Sequence, residues 1–238
     1  MRYDGRASDE MRKVKVTLGF TKFAEGSCLI EVGDTVVLCT ASVEDKVPPH
    51  VRSGGWVTAE YSMLPRANRE RSKRDVSKLK LSGRSAEIQR LIGRSLRCAV
   101  DLEALGERTI TVDCDVLQGD GGTRTASVTG GFIALALACR KLVDQGLIHR
   151  MPIRTYVAGV SAGIVRNEAM LDLCYDEDSK AMVDLNCIMT AEGDIIELQG
   201  TGEGRPFTVE EQRKLLALCR KGNAALTQMQ RRCIGNLE

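Results

Sequence analysis

Residues 119–127, GDGGTRTAS, place three glycines and three hydroxyl side chains around a single arginine. The segment follows a predicted strand and precedes a predicted helix, so its backbone N–H groups lie at the positive end of a helix dipole. Arg124 can add a bidentate, charge-assisted clamp, and the hydroxyls of Thr123, Thr125 and Ser127 can donate further hydrogen bonds. The pattern favours a phosphate-like ligand. From this segment alone, a glycine turn with a helix-capping Thr or Ser remains an equal alternative.

Two familiar phosphate-binding motifs do not fit. No Gly-Lys pair followed by Ser or Thr occurs in the chain, which excludes a P-loop. The Rossmann fingerprint fails because Arg124 stands where its third glycine belongs.

The segment GVSAG, residues 159–163, matches the G-x-S-x-G pattern of a nucleophile elbow. An elbow needs a strand, a sharp turn and a helix, whereas Ser161 lies inside a predicted alternating strand that continues into a hairpin. No histidine follows Ser161 in the sequence. These features argue against a serine hydrolase.

A second chemical feature is the acidic segment DEDSKAMVDLN, residues 176–186. Asp178 and Asp184 are separated by an even number of residues, so a strand that begins early enough would point them to the same side. Paired carboxylates beside a phosphate site suggest Mg²⁺. We interpret Asp176 and Glu177 as a solvated acidic turn, and for Asp178 and Asp184 a turn and a metal site remain equally open.

Composition limits the other possibilities. The 238 residues are 43% hydrophobic, which is enough for a sizeable core, and the net charge is only +2. Basic charge is concentrated in residues 66–74, RANRERSKR, where five basic residues accompany one acidic residue. The nine cysteines show no C-x-x-C pair, and there are only two histidines, which argues against a disulfide framework and a zinc site.

No stretch approaches the roughly 18 uninterrupted apolar residues of a membrane span. The N-terminus MRYDGRASDEMRK is too charged to contain the apolar region of a signal peptide. We therefore expect a cytoplasmic protein without a membrane partner, whose cysteines behave as small buried hydrophobes.

The elements that must position these residues alternate between strands and helices. We predict strands at 14–20, 27–32 and 36–43, with a Gly33-Asp34 hairpin turn, and then a long functional loop from 45 to about 83. A helix over 84–102, a strand over 109–118 and a buried helix over 127–143 complete the first half. The second half has strands at 155–165, 169–175, 182–190 and 194–200, and a helix from 208 with a Thr208/Glu211 capping box. The pattern predicts an α+β chain of two similar strand-then-helix halves in one compact domain, residues 1–238.

Long segments of the chain resemble the ribonuclease PH family of bacteria. They occur in order over nearly the whole length: AEGSCLIEVGDTVVLCTASVE, WVTAEYSMLPRA, EIQRLIGRSLR, VDCDVLQGDGGTRTASVTG, DLCYDEDSKAMVDLN and IIELQGTGEGRPF. The resemblance implies the ribonuclease PH fold, which is ribosomal protein S5 domain 2-like. It also implies a phosphorolytic 3′-to-5′ exoribonuclease that trims tRNA precursors and other RNA 3′ ends. Inorganic phosphate would be the co-substrate, nucleoside diphosphates the products, and a homohexamer (a trimer of dimers) the assembly.

The resemblance also implies roles for individual residues. The phosphate-binding residues would be Arg84, Gly122, Thr123 and Arg124. Asp178 and Asp184 would hold Mg²⁺ and, with Arg124, form the catalytic set, while Arg66, Arg71 and Arg74 would guide RNA. A non-catalytic ring subunit that binds RNA is the main competing hypothesis, and a hydrolytic nuclease is disfavoured because an anion clamp accompanies only two candidate metal carboxylates.

Overall fold

Nine strands and five helices make up the part of the chain that the computed structural model describes, residues 2–74 and 82–237. The strands are β1 (Val14–Leu18), β2 (Gly26–Val32), β3 (Thr35–Glu44), β4 (Trp56–Met63), β5 (Thr109–Gln118), β6 (Val157–Val165), β7 (Glu168–Leu171), β8 (Val183–Thr190) and β9 (Ile195–Gly202). The helices are α1 (Gly83–Ala99), α2 (Leu102–Leu105), α3 (Thr123–Asp144), α4 (Tyr175–Asp178) and α5 (Val209–Ile234). The α+β prediction of two strand-then-helix halves is confirmed.

The first sheet has the order β1-β2-β3-β5-β4. Val32 pairs with Thr35, so the Gly33-Asp34 hairpin turn is confirmed, with Gly33 at a φ of 55°. The prediction of one long loop from 45 to about 83 is wrong, because β4 lies within it and pairs in parallel with β5. The strand buries every second residue, Val57, Ala59 and Tyr61, a short period-two pattern that the sequence interpretation missed. The last part of that predicted loop, 75–81, lies outside the described residues.

The second sheet is antiparallel throughout, with the order β7-β6-β8-β9. A tight turn joins β6 and β7, and its residues Arg166 and Asn167 have positive φ values of 51° and 63°. This geometry suits a two-residue hairpin, so the predicted hairpin after Ser161 is confirmed. The predicted alternation of β6 is wrong, because all nine residues of this strand are buried.

Helix α3 packs against β2 and β3 of the first sheet and against β6 of the second. Gly26 permits this close approach, since a Cβ at that position would overlap the carbonyl oxygen of Ala134. Among the described helices, α3 alone is long and apolar enough to cross a membrane, but 78% of the relevant stretch is buried inside the protein. It is therefore a core helix that links the two halves.

Local capping explains where the helices begin. The predicted capping box of α5 is confirmed, with Thr208 and Glu211 each bonding the other's backbone N–H. Helix α3 begins at Thr123, four residues earlier than predicted, so the glycine loop (residues 119–122) leads directly into its first turn.

The predicted acidic turn is partly the one-turn helix α4. Seven of the nine cysteines are buried, as expected for small apolar side chains.

Candidate active site

Six residues predicted from the sequence line one pocket of about 570 Å³. The glycine loop and the start of α3, the start of α1, and α4 with β8 all contribute to its lining. The six residues are Arg84, Gly122, Thr123, Arg124, Asp178 and Asp184. Segments that are distant in sequence are thus brought into a single site.

The first turn of α3 presents free backbone donors to this pocket. Gly121 and Gly122 have positive φ values of 78° and 65°, a conformation that glycine adopts without strain. The helix has no side-chain N-cap hydrogen bond, and the N–H groups of Gly122, Thr123 and Arg124 have no acceptor among the described residues. Because these amides also lie at the positive end of a 22-residue helix, they form a site suited to an anion.

Two arginines flank the free amides. Arg124 donates from Nη1 to Oε1 of Gln199 at 2.6 Å, and Gln199 in turn donates from Nε2 to Glu87 at 2.8 Å. Arg84, the second residue of α1, is exposed at the pocket and makes no ion pair with any described residue. One arginine is therefore held in place by neighbours, and the other is available to a ligand.

We call the free amides of Gly122, Thr123 and Arg124 the anion cradle. Most hydroxyl groups near this cradle already form hydrogen bonds within the protein. Thr125 donates to the Gly122 carbonyl at 2.9 Å and Ser127 to the Thr123 carbonyl at 2.8 Å, so the prediction that both would serve a ligand is wrong. Thr123 Oγ1 lies 2.9 Å from the hydroxyl of Tyr61, whose pKa is raised by burial. Of the three predicted hydroxyls, only that of Thr123 lines the pocket.

The two predicted metal-binding carboxylates line the same pocket. Asp178 ends α4 and is exposed to the pocket, while Asp184 on β8 is half-buried. Asp184 Oδ2 accepts a hydrogen bond from Asn186 at 2.9 Å, but its Oδ1 is closed off from solvent and has no partner among the described residues. Burial, with the nearby charge of Asp178, raises the pKa of Asp184 to about 6. Burial also raises the pKa of Asp178, although Arg124 and Arg84 act in the other direction.

The donor set suits a hard divalent cation. No group of three or more His, Cys, Asp or Glu side chains in metal-binding arrangement occurs among the described residues. Mg²⁺ typically takes one or two carboxylates and completes its shell with water and substrate phosphates. The unpartnered Oδ1 of Asp184 is an oxygen that such a cation would satisfy.

Behind the glycine loop lies a set of buried ion pairs that the sequence interpretation did not find. Arg12 forms an ion pair with Asp172 at 2.7 Å and donates to the carbonyls of Asp120 at 2.5 Å and Gly121 at 3.3 Å. Arg2 pairs with Glu177 at 2.7 Å. We call these four side chains, Arg2, Arg12, Asp172 and Glu177, the N-terminal brace. Glu177 is buried in it, so its prediction as part of a solvated turn is wrong.

The predicted RNA-guiding arginines lie in the basic loop, residues 66–74, and all three (Arg66, Arg71 and Arg74) are exposed. The loop is fixed beside the glycine loop by a hydrogen bond from the Gly119 N–H to the Ala67 carbonyl at 2.8 Å. A cleft of about 280 Å³ adjoins the pocket, and Arg74 and Arg84 both line it. Of the three arginines, only Arg74 lines that cleft.

Other polar residues of the pocket received no role from the sequence. Ser161, Asn186 and Glu203 line it, and Gln199 holds Arg124. A signal existed for Asn186, because period-two alternation places it on the same face of β8 as Asp184. Ser161 pairs directly with Asn186 across β6 and β8, a register that the sequence does not disclose.

Comparison with solved structures shows close relatives of this fold. The structure of the Archaeoglobus fulgidus exosome with RNA bound to the active site is 25% identical in sequence, with a TM-score of 0.82 over 96% of this chain and 92% of that chain. An archaeal exosome core is 24% identical, with a TM-score of 0.74 over 99% and 91% of the two chains. Rrp46 from rice (Oryza sativa) is 16% identical, with a TM-score of 0.80 over 98% and 100%.

Family comparison covers most of the chain. Residues 10–141 match domain 1 of the RNase PH 3′ exoribonuclease family, and residues 155–222 match domain 2. The two matches include the anion cradle in the first half and both pocket carboxylates in the second. The chain belongs to the RNase PH family of phosphorolytic 3′ exoribonucleases.

Proposed function

We propose that this chain is a phosphate-dependent 3′-to-5′ exoribonuclease that trims tRNA precursors and other RNA 3′ ends and releases nucleoside diphosphates. One observation carries the proposal: a single pocket is lined by free amides, two arginines and two carboxylates that lack cationic ion-pair partners among the described residues. A subunit with only a structural role has no need for this combination of opposed charges.

The residues of the cradle bind and orient orthophosphate. The amides of Gly122 to Arg124, together with the two guanidinium groups, hold the anion so that one oxygen can attack the terminal phosphodiester in line. The bond from phosphorus to the 3′-oxygen of the preceding nucleotide breaks, a new phosphorus–oxygen bond forms, and the released 3′-oxygen takes up a proton. Because the phosphodiester bond that breaks is replaced by the phosphoanhydride bond of the nucleoside diphosphate, much of the bond energy is conserved, and the reverse reaction adds nucleotides from nucleoside diphosphates.

Asp178 and Asp184 are the residues that would hold Mg²⁺. A bound Mg²⁺ supplies Lewis-acid neutralisation of charge on the phosphate and on the leaving 3′-oxygen. Without a cation, the pKa of Asp184 is raised to about 6, which means that its ionised form is destabilised. A divalent ion in contact with the unpartnered Oδ1 would stabilise that ionised form.

The exposed arginines of the basic loop would bind the RNA backbone. Exposed guanidinium groups attract phosphates without reading base sequence, and Arg74 lines the cleft that adjoins the pocket. The related archaeal structure contains RNA at its active site, which supports RNA as the polymer. Selection of tRNA precursors is the expectation from the ribonuclease PH resemblance.

We further propose a homohexamer built as a trimer of dimers. Large apolar side chains are exposed on the single chain, among them Phe23 at 87% and Val209 at 65%. Association in a ring would remove such surface from water.

The decisive experiment is incubation of the purified protein with a tRNA that carries extra 3′ nucleotides and with Mg²⁺, in the presence and absence of inorganic phosphate. We expect phosphate-dependent release of nucleoside diphosphates. Release of monophosphates without phosphate would mean hydrolysis, and RNA binding with no release would favour a non-catalytic ring subunit. Either result would overturn the proposal.

A further inference from the structure

Ser161 is a buried hydroxyl group in the wall of the pocket, beside the anion cradle. It lies in the middle of β6, and the residue is only 4% exposed. It lines the same pocket as Arg124 and Asp184. Neither the phosphate-binding set nor the carboxylate pair includes it.

The hydrogen bonds of Ser161 leave its proton uncommitted. The Oγ atom accepts a hydrogen bond from the Leu173 N–H at 3.2 Å. A serine hydroxyl carries one proton and two lone pairs, and no described residue provides an acceptor for that proton. A buried donor without an acceptor costs free energy, so the arrangement is best explained by an acceptor that enters the pocket.

The local geometry indicates what that acceptor is. A Cβ placed on Gly122 would lie 3.9 Å from Ser161 Oγ, so the missing side chain of Gly122 leaves the space between the amide cradle and the hydroxyl open. Across the strands, Ser161 pairs with Asn186, whose amide donates to Asp184 Oδ2. Asp184 Oδ2 thus accepts from Asn186, whereas Ser161 Oγ lies next to Gly122 at the edge of the free amides.

The chemistry of a nucleophile is absent from this position. No base among the described residues hydrogen-bonds to Ser161 Oγ, and its recorded partner is a backbone donor. An unactivated hydroxyl is a weak nucleophile but an effective hydrogen-bond donor to an anion.

We propose that Ser161 is a phosphate-binding residue, whose hydroxyl donates a hydrogen bond to the orthophosphate held by the Gly122–Arg124 amides. This inference rests on the proposed phosphorolytic function and adds a donor to its phosphate site from the second half of the chain. The attacking phosphate is then contacted by both halves.

The test compares Ser161→Ala with Ser95→Ala in phosphorolysis assays. Ser95 is the matched control, because its hydroxyl is equally buried but donates to the Leu91 carbonyl at 2.8 Å within α1. Loss of one hydrogen bond to a charged ligand is expected to raise the KM for inorganic phosphate about tenfold in Ser161→Ala, with the KM for RNA within about twofold of wild type. Ser95→Ala should change neither constant by more than about twofold.

Each result has a defined meaning. An unchanged phosphate KM in Ser161→Ala, with an active wild type, would overturn this inference alone, and so would equal changes in the constants for phosphate and RNA. Absence of phosphate-dependent release in the wild type would overturn the proposed function and this inference with it. Should Ser161→Ala not fold, Ser161→Cys is the second variant, because a thiol is close to a hydroxyl in shape, only slightly larger, and donates weakly; the inference requires a rise in its phosphate KM as well.

Discussion

The charged side chains on the two sides of the glycine loop differ in whether the protein supplies them with an oppositely charged partner. Behind the loop, in the N-terminal brace, Asp172 and Glu177 are buried against arginines, and both have a lowered pKa because the ion pairs and hydrogen bonds outweigh the effect of burial. In front of it, Asp178 and Asp184 have a raised pKa, because burial outweighs the lowering effect of Arg124, and at Asp184 the charge of Asp178 adds to the rise. Glu177 and Asp178 are adjacent in sequence, yet they belong to opposite sides.

The contrast distinguishes scaffold from site. A carboxylate whose arginine is supplied by the protein fixes the backbone and needs nothing further. A carboxylate left without a cation raises the free energy of the unliganded protein when it is ionised, and a bound cation can remove that increase. The same distinction applies to the cations, because Arg12 is paired behind the loop, whereas Arg84 makes no ion pair with the described residues.

The largest expected effect comes from breaking the brace. Arg12→Met leaves Asp172 buried without its bidentate partner and should lower the free energy of unfolding by about 3–5 kcal/mol. Chemical denaturation at fixed protein concentration measures the change. Lys15→Met is the control, because its exposed ion pair with Glu31 should contribute less than about 1 kcal/mol. Equal losses in the two variants would contradict a special role for the brace.

Arg124→Ala tests the cation on the pocket side. Removing a charge-assisted donor from the phosphate site should cost about 2–4 kcal/mol of transition-state stabilisation, measured as kcat/KM for phosphate-dependent RNA trimming. The matched control is Arg140→Ala on the same helix, since Arg140 donates to the Asn236 carbonyl at 3.1 Å, outside the pocket. Activity near that of wild type in Arg124→Ala would remove this arginine from the mechanism.

Asp184→Asn should stabilise the protein while it removes the carboxylate. The folded-state pKa of about 6 lies above the ordinary 3.8, so the folded protein binds a proton more readily than the unfolded chain between these values. Stability is therefore lost as pH rises from about 4 to 6, by roughly 2–3 kcal/mol from this group. With EDTA present, the variant should match wild type near pH 4 and exceed it by that amount at pH 8.

The same pair of proteins sharpens the metal proposal without any activity measurement. Added Mg²⁺ at pH 8 should raise the unfolding temperature of wild type and leave that of Asp184→Asn nearly unchanged. A difference in unfolding free energy that does not change with pH, or an equal response of both proteins to Mg²⁺, would show that ionised Asp184 does not destabilise the folded protein.

The smallest effect per residue is expected at the exposed arginines. Arg71→Ala and Arg74→Ala should each weaken RNA binding by about 1 kcal/mol or less and reduce the slope of log K against log salt by about 0.7. Arg150→Ala, an exposed arginine paired with Asp101, is a control with the same change of charge. Unchanged salt slopes in the loop variants would take the basic loop out of RNA binding.

Much of the fold could be predicted because its signals are local. The hairpin at Gly33-Asp34, the capping box of α5 and the predicted helix over 84–102, which buries Ile88, Leu91, Ile92 and Leu96 on one face, all depend on residues close together in sequence. The strand β4 was missed since its burial pattern is short and its partner β5 lies far along the chain. The grouping of the six pocket residues came from the family resemblance together with the chemistry of the glycine loop.

The brace and the role of Ser161 could not be predicted, for a physical reason. Arg2 and Glu177 are 175 positions apart, and Arg12 and Asp172 are 160 apart, so no sequence spacing links them. The raised pKa of Asp184 likewise depends on how deeply β8 is buried and on which neighbours supply hydrogen bonds. Such facts belong to the packed structure rather than to a motif.

The backbone N–H groups at the start of α3 that lack a hydrogen-bond acceptor should exchange their protons with solvent faster than the rest of the helix. In a well-packed helix most amide protons exchange slowly, because they are already hydrogen-bonded. The N–H groups of Gly122, Thr123 and Arg124 lack that protection in the free protein, although the backbone around them is fixed. Phosphate seated in the cradle would slow their exchange, so three backbone protons report occupancy of the site even in a variant that cannot turn over.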